Sequence, residues 1–170
     1  YETASTFTQQ VTVTDGVTAV LVTNAITVSD PATVFAGVST ICISASSVPV
    51  AGSGGAPAGC STAQVSNWPL VVSSYVDAGY RTLLNRGETW TGAATAVLDK
   101  LGPGIIGAYG TGAKPVIQTT ATTNNAKILS LGGAISTNDW RLVDLDFDGQ
   151  SDVHREFLSA TGAYTLSQLL

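Results

Sequence analysis

The chain has few of the residues that ionic, redox or metal chemistry draws on. Among its 170 residues are one histidine, two cysteines and no methionine, and only 11% are charged. A lone histidine with two cysteines far from it in sequence argues against a zinc site, which needs three or four closely spaced ligands. No serine sits in a G-x-S-x-G turn, which argues against an esterase nucleophile elbow. Seven basic against twelve acidic residues leave a net charge of −5. That is the wrong sign for a surface that neutralises phosphates, so nucleic acid is set aside as a partner. No apolar run approaches the roughly 18 residues of a membrane span, and no basic-then-apolar signal region opens the chain. With Tyr1 first and no methionine anywhere, the expectation is a mature chain or a fragment.

What is present points to a folded domain outside the cell. Apolar residues make up 44% and the mean hydropathy is +0.28, ample for one core at this length. Serine and threonine together number 39, so solubility rests on hydroxyls more than on ion pairs. Cys42 and Cys60 enclose a segment rich in Gly, Pro, Ala and Ser. A bridge there would remove about 3 kcal/mol of unfolded-state entropy and would persist in an oxidising compartment. Two separate buried thiols are the alternative.

Residues 1–30 read as β structure. Phe7, Gln9, Val11 and Val13 alternate with threonines and Gln10, Asp15-Gly16 supplies a hairpin turn, and Val17 to Val28 gives a second β-branched stretch. One hairpin is marginal alone in water, so its partners are expected in another molecule, another module or a missing upstream half. Residues 31–80 read as a linker and N-terminal cap, with a strand at Thr40–Ser44, a loop from Val48 to Ser61 and a helix over Ala63–Ala78 broken by Pro69. From Tyr80 onwards short apolar strands recur between Gly, Asn, Asp and Lys-Pro turns. Leu83 to Ile105 spans 22 residues and Ile105 to Ile128 spans 23. Such a spacing without intervening helices indicates coils stacked as parallel strands.

The runs Arg81-Thr-Leu-Leu-Asn-Arg-Gly-Glu-Thr-Trp90 and Gly102-Pro-Gly-Ile-Ile-Gly-Ala-Tyr-Gly-Thr-Gly-Ala-Lys-Pro-Val-Ile117 resemble the opening coils of right-handed parallel β-helix proteins of the pectin-lyase-like group. Asp139-Trp-Arg-Leu-Val-Asp-Leu-Asp-Phe-Asp-Gly149 is similar to the next coil. The resemblance covers residues 40–170, and its motifs are specific for a fold rather than a reaction. Tyr1–Asp30 resembles the closing strands of a PKD-type immunoglobulin-like module, which precedes such β-helices in secreted bacterial proteins. The β-helices of that group run to many more coils, so a site carried by later coils would be absent here.

Several residues are candidates for chemistry. Asp144, Asp146, Asp148 and Gly149 match the opening D-x-D-x-D-G of a calcium loop. The bidentate glutamate expected at the twelfth position falls on Arg155, with Glu156 one place late. The alternation of Leu145 and Phe147 with the aspartates is also that of a half-buried strand over Leu142–Phe147, whose outer carboxylates would hold at most a weak calcium. With Arg141 and Arg155 the aspartates contain the parts of a polysaccharide lyase or hydrolase, in which a cation neutralises a uronate beside a carboxylate. They equally serve to keep an outer face wet. His154, between Asp152 and Glu156, is a weak candidate base or a solvated loop residue. Trp90, Trp140, Tyr109 and Tyr164 offer flat faces for sugar stacking, or else pack coils. The glycines of Gly102–Gly112 lack the Lys-Ser/Thr and helix of a phosphate loop and read as tight corners.

The expectation is an all-β chain: an Ig/PKD-like strand segment over 1–30, a cap with a disulfide loop over 31–80, and the first coils of a truncated right-handed parallel β-helix over 81–170. The expected role is a secreted structural, adhesive or fibre-forming scaffold at the cell surface, self-associating or part of a longer chain. A lyase or hydrolase acting on an acidic polysaccharide, and a carbohydrate-binding module, are the rival classes.

Overall fold

The computed structural model describes residues 5–14, 16, 19–122, 126–132, 139–149 and 155–160. His154 and Tyr164 lie outside them, and of Arg155 and Glu156 only the backbone is described. The protein is mostly β, and it divides into two compact units, Tyr1–Ala36 and Gly37–Leu170.

The first unit holds two antiparallel strands, β1 (Ser5–Thr14) and β2 (Ala19–Val28), paired residue for residue from Ser5 with Val28 to Thr14 with Ala19. Both strands are built from threonine, valine and other residues that favour the pleated conformation. Gly16 in the connecting turn has φ +91°, which a residue with a Cβ resists. One helical turn follows, α1 (Pro31–Val34), capped by the Asp30 carboxylate, which accepts from the Ala32 N–H at 2.8 Å.

The second unit begins with β3 (Thr40–Ser44) and β4 (Ser61–Gln64), then α2 (Trp68–Tyr75). The chain next visits three parallel sheets in rotation. The strands β5 (Arg81–Asn85), β6 (Thr89–Gly92) and β7 (Ala96–Leu98) are followed by β8 (Gly104–Tyr109), β9 (Val116–Thr119) and β10 (Ala126–Leu131), and then by β11 (Trp140–Leu142), β12 (Asp146–Asp148) and β13 (Arg155–Ala160). The first strand of each round joins a five-stranded sheet of order β11-β8-β5-β3-β4, the second joins β12-β9-β6, and the third joins β13-β10-β7. Every pairing in these sheets is parallel.

Side chains from all three sheets meet in one core. Trp90 pairs with Ile117, which pairs with Phe147, and the first two are fully buried while Phe147 packs against the same core. Ile43 and Leu84 form a second inward pair, and Thr82, Ile106 and Leu142 a third row. The three tryptophans are buried without leaving a polar atom stranded, because each indole N–H donates to a main-chain carbonyl. Trp90 bonds Val65 at 2.7 Å, Trp68 bonds Ile128 at 3.0 Å and Trp140 bonds Lys100 at 2.9 Å. The Trp140 ring also occupies the space in which a Cβ on Gly104 would stand, so that glycine is required by packing.

Helix α2 covers one end of this core. It starts at Asn67, whose side-chain oxygen accepts from the Leu70 N–H at 2.9 Å. Trp68, Val71 and Val72 fall at the i, i+3, i+4 spacing of one helix face, and all three are buried. The helix packs on β6 and β7, the strands at one margin of their sheets. Pro69, expected to break a helix over 63–78, instead sits in the first turn, where a missing N–H costs nothing. Residues 63–64 belong to β4 rather than to the helix.

Two further expectations change. Within residues 31–80, read as linker and N-terminal cap, β3 is an interior strand of the largest sheet, paired on one side with β4 and on the other with β5. Leu142–Phe147 is not one strand, because the chain turns between β11 and β12 and enters a different sheet. Asp144 stands at that turn with φ +64°, a conformation that Asp tolerates better than most residues.

Candidate functional site

A group of polar side chains in the second unit gathers at one corner, where the turns after β3, β5, β8 and β11 lie against each other. Main-chain bonds fix the stack: Arg86 N–H to the Tyr109 carbonyl at 3.0 Å, Gly87 to Ala113 at 2.9 Å, Val143 to Ile106 at 2.9 Å and Asp146 to Pro115 at 2.9 Å. Gly87, with φ +77°, lets the chain turn sharply between β5 and β6.

Glu88 is the hub of this corner. Its carboxylate accepts from Ser46 Oγ at 2.6 Å, the Ala45 N–H at 2.6 Å, Asn85 Nδ2 at 3.0 Å and Ser44 Oγ at 2.9 Å. Partial burial, the largest single influence, pushes its pKa up, but these four donors together outweigh it and hold the carboxyl below its ordinary value. Glu88 is thus kept as an anion whose acceptor positions are taken by protein donors. Tyr109 lies close by, and burial together with the Glu88 charge raises its pKa to about 12.

A second charged group stands at the same corner. Asp144 forms an ion pair with Arg86, and Lys114 Nζ approaches its other oxygen at 3.9 Å. Arg86 also donates to the Gly112 carbonyl at 3.2 Å, so its guanidinium ties three turns together. Arg141, proposed from the sequence as the partner of the aspartates, is exposed on β11. The three aspartates separate: Asp144 is ion-paired, Asp146 is exposed, and Asp148 accepts from Gln118 Nε2 at 2.8 Å. Leu145 and Phe147 do pack toward the core. Among the described residues no group of three or more His, Cys, Asp or Glu is placed to hold a metal ion, so the aspartates do not converge as a calcium loop would require.

The disulfide expected from the sequence is present. Cys42 and Cys60 are bonded, with their Cα atoms 6.1 Å apart, and both are buried. The bridge lies on the outer side of the largest sheet, where Cys42, Cys60, Ala56, Leu83 and Tyr109 form a small apolar cluster apart from the main core. Gly54 and Gly55 bring the loop onto the corner at Gly110, so closely that a Cβ on Gly55 would stand 2.6 Å from the Gly110 Cα. The loop therefore covers the apolar outer residues of β3, β5 and β8.

The aromatic residues considered for sugar stacking are placed otherwise. Trp90 is 0% exposed, Trp140 8% and Tyr109 7%. Their ring faces are spent on packing. Glu88, Ser44, Ser46, Asn85, Arg86 and Lys114 were not singled out in the sequence. The one local signal was an acid directly after a turn glycine, between two β-forming stretches.

Comparison of the chain with protein-family models, with curated proteins and with solved structures gave no match in any of the three.

Proposed function

We propose that the second unit is the opening part of a right-handed parallel β-helix, and that the chain serves as an extracellular structural scaffold of an adhesive or fibre-forming kind. The observation that carries this reading is the rotation of nine strands among the described residues through three parallel sheets, with buried Trp90 and Ile117 and partly buried Phe147 stacked from round to round. Coils stacked in this way extend by repetition, and each is stabilised mainly by its neighbours.

The polar residues support the same role. Glu88 and Asp144 are engaged in joining one turn to the next, and the aromatic faces are buried. A closed disulfide and a surface that depends on hydroxyls more than on charge suit an oxidising compartment outside the cell. No helix among the described residues is long and apolar enough to cross a membrane.

The test is incubation of the purified chain with acidic and neutral polysaccharides, followed by chromatography and assays for reducing ends and unsaturated uronates. A scaffold leaves the polymers intact. Depolymerisation at a rate set by the chain's concentration would overturn the reading in favour of a lyase or hydrolase.

A further inference from the structure

The crossover from β3 to β4, residues 45–60, closes over the outer face of the largest sheet with little of its own to hold it there. Parallel strands are usually joined through a helix whose apolar face packs on the sheet. This crossover contains no helix, and between Ser46 and Gly59 only Ala56 is buried. Every hydrogen bond made by residues 48–59 stays within residues 48–60: the Gly52 N–H donates to the Ala56 carbonyl at 3.1 Å, Ser53 to Val50 at 3.0 Å, Ala56 to Ser53 at 2.9 Å and Cys60 to Pro57 at 3.4 Å. Gly52, Gly54, Gly55 and Gly59 all have positive φ, so the backbone regains much freedom once released. The two ends of the crossover, by contrast, are fixed independently. Strands β3 and β4 pair from Ile41 with Ser61 to Ser44 with Gln64, and Glu88 accepts from Ser44, Ala45 and Ser46. Among the described residues, the Cys42–Cys60 bridge is therefore the tie that keeps the middle of the crossover on the sheet.

We propose that residues 47–59 are a lid latched by this disulfide, and that a dithiol reductant opens it while the strand stack stays folded. Cys42 is fully buried and Cys60 is 6% exposed, next to exposed Gly59, so the reductant's thiolate enters at the Cys60 sulfur. That attack forms a mixed disulfide on Cys60 and releases Cys42 as a thiolate, which takes up a proton. The second thiolate of the reductant then displaces Cys60 and closes the reductant's own disulfide, so two electrons and two protons pass to the protein. The lid is shut in oxidising surroundings and open where dithiols are present. Opening uncovers Leu83 and Tyr109, which are 6% and 7% exposed with the lid down, beside the new Cys42 thiol. Such a response to redox state goes beyond the scaffold reading, which needs no lid.

Nitration by tetranitromethane, followed residue by residue in peptide mass spectra, tests the lid on the parent chain and on the double variant Cys42→Ser, Cys60→Ser, neither of which has a free thiol. Tyr109 should react at least about tenfold faster in the variant, because a modification that needs an open form follows the population of that form. Tyr80, already 37% exposed, should react alike in both. In a second measurement, dithiothreitol in native buffer should free both thiols of the parent chain and leave the emission of Trp68, Trp90 and Trp140 unchanged, since all three belong to the main core. Equal nitration of Tyr109 in parent and variant would overturn the proposal, because packing alone would then keep the segment down. A red-shifted emission on reduction would overturn it too, making the bridge a support of the whole unit. So would a bridge that dithiothreitol reaches only in denaturant. The reduction is carried out on the parent chain, so it decides the matter even where the variant fails to fold.

Discussion

Replacing Trp90 is the most direct way to test whether the rounds of strands share one core. Its side chain is fully buried at the end of the row it forms with Ile117 and Phe147, and its indole N–H bonds the Val65 carbonyl at 2.7 Å. Trp90→Ala removes the ring and leaves a cavity, which costs about 3–5 kcal/mol in a packed interior. It also strands the Val65 carbonyl, at about 1–3 kcal/mol unless water enters. A total near 5 kcal/mol is a large part of the 5–15 kcal/mol that holds a typical domain together. Trp90→Phe keeps most of the ring contact and loses the hydrogen bond with some volume, so about 2 kcal/mol is expected. Guanidinium unfolding followed by tryptophan fluorescence measures both, since Trp68 and Trp140 remain as reporters in the same unit. A loss below about 1 kcal/mol for Trp90→Ala, or equal losses for the two variants, would refute the packing described here.

Four further outcomes are expected. Glu88 has a lowered pKa in the fold, so the stability it contributes is present above its unfolded value and disappears as pH falls through its folded value; Glu88→Gln should flatten the acid limb of melting temperature against pH. Tyr109 is shifted the other way, to about 12, so its contribution is complete below the ordinary tyrosine value and lost as pH rises toward 12; Tyr109→Phe should flatten the alkaline limb of the same profile. Replacing Cys42 and Cys60 together by serine frees a loop of sequence separation 18 and should cost about 3 kcal/mol in a denaturant titration. Calcium and chelators should leave the melting temperature unchanged, because Asp144 is already ion-paired and Asp148 already accepts from Gln118; a calcium-dependent rise would show that the three aspartates do converge.

The strands were legible where local pattern decides them. The β-branched run of Thr40–Ser44 and the valine- and threonine-rich stretches on either side of Gly16 form strands at the places their composition indicated. The spacing of the coils was less legible. Leu83, Ile105 and Ile128 fall at nearly equal intervals, yet Ile128 belongs to a different sheet from the other two. The true neighbours, such as Trp90, Ile117 and Phe147, sit at unequal separations because the turns differ in length from one round to the next. A stack of parallel strands fixes which side chains meet in space and leaves the length of each turn free, so a constant period is not required of it.

Corners were the hardest feature to read, and the candidate site lies on them. The aspartates of the 141–149 run alternate with apolar residues as a single strand would, and only the backbone at Asp144, a residue other than glycine at positive φ, reveals the turn. Once the chain turns there, Asp144 leaves the row of Asp146 and Asp148 and meets Arg86, which comes from two rounds earlier. Glu88 gathers its donors from Ser44, Ala45 and Ser46, more than forty residues earlier, as well as from adjacent Asn85. No local window contains both sides of such a contact. What the sequence does carry is the reason for it: half-buried turns leave N–H and hydroxyl groups that need acceptors, and a single carboxylate beside Gly87 satisfies four of them at once.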